Sequence, residues 1–456
     1  MNRITDFESL IKEERISGWG RKNFVNSKLI NFRSTDEIQT FLNQSQDLKC
    51  IPRGLGRSYG DAAQINEEFV FNLNFCNGIS VSGDKVTVGA GVSINQLLEA
   101  IVPLGFFLPV SPGSSKVTIG GAIAADVHGK NHHKDGSLGN HITRILIVTG
   151  DGKIKELKPT KGKDNKIDDQ FWATVGGMGL TGIILEATIS LIKIETAFMK
   201  VDTFICNDLN SLMDLMSSKD KEYSYSVAWI DSLHRKSRGV LTCGEHAKIK
   251  NLKNIEKDFL FYDPKNIGGA AKLIPNGILN KLTVKAFNEI WFRKSSTFNR
   301  NIQTISEFFH PLDGVSNWNR IYGREGFYQY QFVVPYDNTN FVFKVLDTLK
   351  KFSAYSFLTV LKRFGNKNDA FLSFPKPGWT LALDLPGSNQ DLLKVLQELD
   401  NELANIGGRI YLAKDTRQTP EIFKKTYSSY PKWKKVKNDM DPENIFQSDL
   451  SRRLEI

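Results

Sequence analysis

Two glycine-rich stretches in the first half decide the fold: PRGLGRSYGD at residues 52–61 and PGSSKVTIGGAIAADVHGKNHH at residues 112–133. In the first stretch, glycines permit positive φ angles and let successive backbone N–H groups converge on an anion. Arg53 and Arg57 add positive charge, and Ser58 adds a hydroxyl donor. We interpret this stretch as a diphosphate cradle; the alternative is an ordinary loop with a surface arginine.

The second stretch is crowded with small residues, most densely in GGAIAAD at 120–126. Such density indicates that a flat or bulky group approaches the backbone closely, because larger side chains would keep it away. The alternative is the close packing of a tight helix in the core. Together, the two stretches suit a ligand that has both a diphosphate and a planar ring.

Four of the seven histidines lie within fourteen residues at the end of this stretch: His128, His132, His133 and His141. The spacing of His128 and His132 would suit a metal if both lay on one helix face. Gly129 and Asn131 weaken that helix, and no nearby Cys or Glu completes a ligand set. We therefore favour a mixture of active-site and surface histidines and predict no metal.

A third glycine string, Gly177-Met-Gly179-Leu-Thr-Gly182, matches the pattern GxGxxG. A dinucleotide-binding Rossmann unit needs a helix directly after this pattern. The next residues, IILEATISLIKI at 183–194, are rich in β-branched side chains and predict a strand. The string therefore argues against a Rossmann unit at this point of the chain.

Other patterns in the first half alternate between strands and helices. The capping box STDE at 34–37 predicts a helix start, and KVTVGAGV at 85–92 alternates like a strand. SINQ at 93–96 predicts a second cap, followed by apolar residues at helical spacing through Ile101. This mixture is typical of an α+β or α/β domain.

From about residue 197 the chain has longer helical patterns, fewer glycines and more aromatic residues. YQYQFVVP at 328–335 predicts a strand with one apolar face and one amide face. Residues 259–294 show no clean periodicity, and we interpret them as a mobile flap. RIYLAKD at 409–415 predicts a return to the strands of the first half, so we place domain bounds at 1–196, 197–407 and 408–456.

Composition excludes several classes of protein. Of the 456 residues, 40% are hydrophobic and 24% are charged, which rules out disordered and collagen-like chains. No apolar run approaches the roughly 20 residues of a membrane span. The N-terminus also lacks the apolar segment of a secretory signal. We therefore expect a cytoplasmic protein, and its four scattered cysteines predict no disulfide framework.

The net charge of +10 favours an anionic partner. The excess is diffuse until the C-terminal region, where six lysines cluster: Lys424, Lys425, Lys432, Lys434, Lys435 and Lys437. We favour a solvated helix face for this cluster, and the alternative is contact with an anionic ligand or a membrane surface.

Taken together, these motifs resemble the FAD-binding oxidases of the vanillyl-alcohol oxidase/p-cresol methylhydroxylase (PCMH) superfamily. The resemblance rests on the order of the segments: the two glycine stretches, then FWATVGGMGLTGII at 171–184, RIYLAKD and DPENIF at 441–446. SFPKPGW at 373–379 and DLSRRLE at 449–455 further resemble a subfamily that oxidises polyprenylphosphoryl sugars. The resemblance covers nearly the whole chain and is weakest around residues 218–294.

The resemblance implies an α+β fold: a two-part, PCMH-type FAD-binding domain with an inserted substrate domain on an antiparallel sheet flanked by helices. It also implies a set of residues around FAD: Arg53, Gly54, Leu55, Gly56, Arg57, Ser58, Tyr59, Gly113, Thr118, Ile119, Gly120, Gly121, Ala125, Asp126, Val127, His128, Ile183 and Tyr411. Covalent members of the superfamily often carry a histidine where this chain has Arg57, so we predict non-covalently bound FAD.

The same resemblance implies the catalytic residues Lys414, Lys362, Tyr59, His128 and Gln331. Hydride transfer to the flavin N5 needs a positive charge that stabilises the reduced ring, and lysines supply it. For each lysine the alternative is a surface position in a basic protein. At the position of Ala382, mycobacterial members carry a cysteine beside the substrate pocket, which leaves the identity of the substrate in doubt.

The implied activity is oxidation of a sugar secondary alcohol. The implied substrate is the 2′-hydroxyl of a polyprenylphosphoryl-β-D-ribose, as the first half of an epimerisation to arabinose in cell-wall biosynthesis. The implied partner is a short-chain NADH-dependent reductase, and residues 259–294 suggest peripheral membrane contact; we expect no nucleic acid. Two alternatives stay open: an FAD oxidase of a soluble sugar, alditol or aldonolactone, and a flavin-free binding protein.

Overall fold

The computed structural model describes residues 5–44, 47–160, 166–252, 258–262, 264, 268–269, 279–295, 300–352, 354–387 and 390–456. Strands of two sheets build the first half of the chain. A four-stranded sheet has the order β1-β2-β4-β3 and a five-stranded sheet the order β5-β6-β10-β8-β9. Their bounds are β1 Ile11–Ile16, β2 Val25–Asn31, β3 Cys50–Arg53, β4 Phe69–Asn72, β5 Ile79–Ser82, β6 Lys85–Gly89, β8 Ile142–Val148, β9 Ile154–Leu157 and β10 Ile183–Ser190.

An eight-stranded antiparallel sheet dominates the second half, in the order β16-β12-β14-β13-β19-β20-β18-β21. Its strands are β12 Phe198–Cys206, β13 Tyr225–Ile230, β14 Gly239–His246, β16 Arg300–Thr304, β18 Phe327–Val334, β19 Thr359–Phe364, β20 Gly378–Pro386 and β21 Arg409–Ile410. Two short pairs complete the strands: β7 Phe106–Phe107 with β11 Ile192–Lys193, and β15 Gly268–Gly269 with β17 Val315–Ser316.

Helices accompany both halves. The α-helices are α1 Thr35–Gln44, α2 Ile94–Ile101, α3 Ile119–Ala124, α4 His132–Asp135, α5 Lys166–Thr174, α6 Leu209–Lys219, α7 Lys281–Ser295, α8 Ile305–Phe309, α9 Asn340–Lys351, α10 Gln390–Asn405, α11 Pro420–Thr426, α12 Tyr430–Met440 and α13 Asp449–Leu454. Helices α6, α9 and α10 bury apolar residues in the same core as the eight-stranded sheet. The α+β class is confirmed, because mixed helices accompany largely antiparallel sheets. Among the described residues, no helix is both long and apolar enough to cross a membrane.

Local sequence rules explain several elements. The predicted cap of α2 is confirmed: Ser93 Oγ accepts from Gln96 N–H, and Gln96 Oε1 accepts from Ser93 N–H at 2.9 Å. In α1, Ser34 Oγ accepts from Glu37 N–H at 3.2 Å, whereas the Glu37 carboxylate accepts from Arg33 N–H. The strand predicted after the GxGxxG string is confirmed as β10, so no helix follows these glycines.

Two local predictions are wrong. RIYLAKD pairs as a strand only at Arg409–Ile410, and Lys414 N–H then donates to Tyr411 O at 3.0 Å in a turn. Beyond this strand, Ala413 O accepts from Tyr59 N–H of the cradle at 2.9 Å, so the chain pairs with the cradle instead of the sheet. The end of the predicted flap is the fifteen-residue helix α7. Much of the rest of the flap, 263, 265–267 and 270–278, lies outside the described residues.

The C-terminal residues contact the first half closely. Arg453 donates to both carboxylate oxygens of Asp61 at 2.8 and 2.9 Å and to Asp415 at 3.0 Å. Cys50 N–H donates to Ile445 O at 2.9 Å, so β3 meets the tail directly. The domain bounds at 196/197 and 407/408 stay a prediction, and strand β21 beyond residue 407 still pairs with β18.

Candidate active site

A large cleft lies between the glycine-rich half and the eight-stranded sheet. One side comes from the loop after β3 and from residues 112–128, the other from β18, β19 and β20. The turn after β21 closes the end of the cleft with Tyr411, Ala413 and Lys414. The two halves of the chain therefore contribute different surfaces to one site.

Glycines let the loop after β3, the cradle, approach its neighbours. A Cβ atom on Gly60 would lie 1.7 Å from Asp415 O, and one on Gly54 would lie 2.1 Å from Thr118 Oγ1. Gly56 has φ +62°, a conformation that L side chains rarely adopt. A residue with a side chain at these positions would push the cradle off its support.

Arg53 also supports the cradle from inside the protein. Its guanidinium donates to Ala63 O at 2.7 Å and to Ser17 O at 2.8 Å, so both terminal nitrogens hold backbone inside the protein. Burial lowers the pKa of Arg53 to about 10. Arg53 lines the cleft and also braces the cradle, and its role at the cofactor stays a prediction.

Arg57 keeps a free donor in the cradle. Its guanidinium stacks on Trp19, with Cζ 3.8 Å from the ring centroid, and its buried Nε has no hydrogen-bond partner among the described residues. A Cβ atom added to Gly113 across the cleft would meet nothing within 4 Å. An unpaired buried cationic donor beside open, glycine-lined space fits the diphosphate of FAD.

Three predicted cofactor residues do not line the cleft. Ile119 is fully buried in the core, and Ile183 faces the opposite side of β10 from the cleft-lining Ile184, because side chains alternate along a strand. Asp126 instead accepts from Ser137 Oγ, Gly139 N–H, Asn368 Nδ2 and Ser373 Oγ. The other fifteen predicted residues line the cleft.

All five predicted catalytic residues come together in the cleft: Lys414, Lys362, Tyr59, His128 and Gln331. Gln331 Nε2 lies 3.2 Å from His128 Nε2, and the His128 ring packs among Phe364, Phe374 and Tyr411. Burial, followed by the charge of Lys362, holds the pKa of His128 well below its usual value. His128 is therefore neutral and able to accept a hydrogen bond from the amide.

Lys362 and Lys414 add two further basic side chains to the cleft. Lys414 Nζ lies 3.5 Å from the centroid of the Tyr59 ring, and Lys362 projects from β19. Neither ammonium has a hydrogen bond or ion pair with a described residue. Burial lowers the pKa of Lys362 to about 8 and also lowers the pKa of Lys414. Cations held without a contacting carboxylate can stabilise negative charge on a ligand.

The remaining histidines of the cluster support the chain locally. Helix α4 begins at His132, so His128 and His132 do not share a helix face. His132 Nδ1 accepts from Gly365 N–H at 3.1 Å, and His141 Nε2 lies 2.9 Å from Asp135 O. Within the described ranges, no group of three potential ligands could hold a metal ion.

Several residues that line the cleft were not predicted from the sequence. Trp19 and Trp318 line the cleft from distant parts of the chain, and no local pattern indicates this. Val360 lies two residues before Lys362 and so shares its face of β19, a signal that strand alternation offers. Ala382, noted for its departure from mycobacterial members, lines the cleft opposite Gln331 in the β18–β20 register.

A PCMH-type fold with a glycine cradle and two lysines in one cleft defines the class of protein: an FAD-dependent oxidoreductase, with FAD as its cofactor. Comparison with known protein families supports this class. Residues 27–158 match a family described as FAD binding domain, and residues 324–454 match D-arabinono-1,4-lactone oxidase.

Similarity to individual proteins identifies the family within this class. The chain is 39% identical over 463 aligned residues to decaprenylphosphoryl-beta-D-ribose oxidase of Mycolicibacterium smegmatis, covering 99% of both chains. It is 30% identical to an uncharacterised protein of Streptomyces coelicolor, over 80% of this chain and all of the relative. L-gulonolactone oxidase 3 of Arabidopsis thaliana is 22% identical, over 80% of this chain and 69% of the relative. The chain belongs to the decaprenylphosphoryl-ribose oxidase family of FAD-dependent oxidoreductases.

Proposed function

We propose that this enzyme oxidises the 2′-hydroxyl of a polyprenylphosphoryl-β-D-ribose to the ketone. The observation that carries the proposal is the pair Lys362 and Lys414, two cations in the cleft without a contacting carboxylate. A neutral sugar gives such a pair nothing to balance, whereas a phosphodiester substrate balances one charge. The name of the mycobacterial relative supports the same substrate class.

In this proposal, some residues of the cleft bind FAD and others bind and orient the sugar. Arg57 and the backbone of the cradle would bind the FAD diphosphate, and the glycines of 113–121 would admit its ring. FAD, when bound, accepts the hydride from the sugar carbon. Lys414 would hold positive charge beside the ring and the sugar hydroxyl, while Gln331, oriented by its contact with His128, would bind the sugar.

Substrate comparison tests the proposal. We expect a short-chain polyprenylphosphoryl-β-D-ribose to support turnover with an artificial electron acceptor, with kcat/KM at least about tenfold above ribose, alditols and aldonolactones. Equal or better turnover of a soluble alditol or aldonolactone would establish the alternative function. A matched phosphate-free polyprenyl riboside separates the contribution of charge from that of the lipid.

We further propose that a short-chain NADH-dependent reductase consumes the product. The ketone regains a hydroxyl of inverted configuration only if a hydride arrives at the face opposite the one from which the first hydride left, so a separate reductant must supply it. An assay with a candidate reductase, NADH and the isolated ketone product should yield the arabinose epimer. NADH consumption without that epimer would contradict the assignment.

Helix α7 supports a proposed membrane contact. Leu282, Ile290 and Trp291 are 79%, 66% and 42% exposed on this helix. Its basic residues are Lys281, Lys285, Arg293 and Lys294, which favour anionic lipid headgroups. Phe287 of α7 packs against Phe357, whose neighbour Leu358 lines the cleft, so this surface adjoins the site of a lipid-linked substrate. The predicted cytoplasmic location stays a prediction.

Vesicle sedimentation tests this contact. The holoenzyme should co-sediment with phosphatidylglycerol vesicles, and the double variant Leu282→Ser/Ile290→Ser should bind at least about tenfold more weakly. Ile154→Ser is the matched control, because Ile154 is 46% exposed on β9 in the other half of the chain. Equal binding by all three proteins would overturn the proposed contact.

A further inference from the structure

Asp384 is a buried carboxylate one hydrogen bond behind the cleft. It lies within β20, has no exposed surface, and stands directly opposite Gln329 in the β18–β20 register. Its oxygens accept from Gln329 Nε2 at 2.6 Å and from Tyr322 Oη at 3.4 Å. No cation among the described residues forms an ion pair with it. Such a carboxylate is costly unless a charge nearby compensates it.

The compensating charge lies in the cleft. The titratable groups that act on Asp384 or its ligands are Lys414, Tyr322 and Tyr59. Gln329 Nε2 donates to Asp384 and, like Tyr59, lines the cleft, where the Lys414 ammonium lies over the Tyr59 ring. Asp384 therefore lies one hydrogen bond behind Gln329 in the wall of the cleft that also holds Tyr59 and Lys414.

Two opposing effects set the charge on Lys414. Burial and the nearby Lys362 lower its pKa, whereas the Asp384 carboxylate raises it. In return, burial raises the pKa of Asp384 while Gln329 and Lys414 lower it. Each partner therefore favours the charged form of the other. No described carboxylate contacts Lys414, and Asp384 is the acidic group that raises its pKa.

We propose that Asp384 is a positioning residue that keeps Lys414 protonated, acting across the Gln329–Tyr59 wall of the cleft. Asp384 does not touch the substrate or FAD. It determines how far toward alkaline pH the enzyme retains the cation that the oxidation requires. The inference rests on the proposed function for its kinetic consequence, but not for the charge coupling itself.

The direct test is the titration of Lys414 in the holoenzyme. With ¹³C-labelled lysine, the Cε signal of Lys414, assigned by its absence in Lys414→Arg, reports protonation without any turnover. In Asp384→Asn we expect its midpoint to move at least about one pH unit lower than in the unmodified enzyme. An unchanged midpoint would overturn the inference.

Asp400→Asn is the matched control. Asp400 is also buried and its pKa is raised by burial, but it pairs with Arg417 away from the cleft. We expect Asp400→Asn to leave the Lys414 midpoint unchanged; an equal shift in both variants would mean a general structural effect. If Asp384→Asn does not fold, Tyr322→Phe removes one donor to the carboxylate and should shift the midpoint in the same direction by a smaller amount.

The kinetic readout follows the titration. The alkaline limb of flavin reduction by polyprenylphosphoryl ribose should move down with the Lys414 midpoint in Asp384→Asn, with the rate recovering at low pH. A uniform loss of rate at every pH would contradict the inference. If the unmodified enzyme does not oxidise this substrate, the proposed function fails, while the lysine titration still decides the role of Asp384.

Discussion

The two sides of the cleft are built on different principles. The cradle side is made of backbone from two continuous stretches, which approach each other closely at Gly54 and Thr118. The sheet side is made of single side chains, Lys362, Gln331 and Ala382, each from a different strand, with Lys414 added from a turn. The surface proposed to bind the cofactor is therefore built from residues that are close in sequence. The surface proposed to act on the substrate forms only when distant strands pair.

The largest effect is expected when the positive charge of Lys414 is removed from the cleft. Lys414→Ala should slow flavin reduction by substrate at least about 100-fold, because it deletes a preorganised cation, while FAD stays bound. Anaerobic stopped-flow absorbance measures the rate. Lys432→Ala is the control, since Lys432 is exposed and pairs with Asp169; a Lys414→Ala rate equal to the control would refute the assigned role.

A variant of Lys362 tests whether this side chain binds the phosphate of the substrate. Lys362→Met keeps the length and apolar contacts of the side chain and removes the ammonium. We expect KM for the polyprenylphosphoryl substrate to rise about tenfold or more, and the KM for a phosphate-free riboside to change little. Steady-state kinetics with both substrates gives the answer. An equal rise for both would mean that Lys362 shapes the cleft rather than balancing phosphate.

The cradle side is tested with a side chain placed into the open cleft. Gly113→Val should weaken FAD binding about tenfold without changing thermal stability, because its Cβ meets no protein atom within 4 Å. Gly78→Val is the matched control, a second glycine with open space around an added Cβ, outside the cleft. FAD titration of the apoprotein by fluorescence measures the affinity, and equal affinities would exclude Gly113 from the FAD site.

A smaller effect concerns stability rather than activity. Burial, with Lys362 and His133 adding to it, lowers the pKa of His132 to about 3, below its unfolded value, so its neutral form is favoured in the fold. Stability is therefore present above about pH 6.5 and is lost as the pH falls, by about 2 kcal/mol at pH 5. Urea unfolding at pH 7 and 5 should show a smaller loss in His132→Gln than in His141→Gln. Equal losses would show that His132 is not responsible.

Local sequence patterns, without the family resemblance, indicated the cradle side but not the sheet side, for a physical reason. Glycine positions and helix caps such as Ser93 act within a few residues, so their consequences are readable locally. Lys362 and Lys414 were found only through resemblance, because the pairing of β18 with β20 and β21 is set far along the chain. Asp384 and Trp19 gave no local signal, and the bracing role of Arg53 depends on carbonyls at Ser17 and Ala63.

We predict that this protein binds FAD non-covalently, unlike those relatives that attach it covalently. Because Arg57 stands where those relatives carry histidine, acid precipitation of the holoenzyme should release the flavin into the supernatant. The visible spectra of supernatant and pellet measure the partition. A pellet that stays yellow would contradict non-covalent binding.

The central claim is that FAD bound at the cradle oxidises a sugar held against the lysines on the other side of the cleft. It is tested most directly by mixing the FAD-loaded enzyme, without oxygen, with one equivalent of polyprenylphosphoryl-β-D-ribose and recording the flavin absorbance near 450 nm. We predict stoichiometric bleaching and formation of the 2-keto sugar, with far slower bleaching by the phosphate-free riboside. A flavin that stays oxidised with the phosphorylated sugar, yet bleaches with a soluble alditol or lactone, would contradict the account.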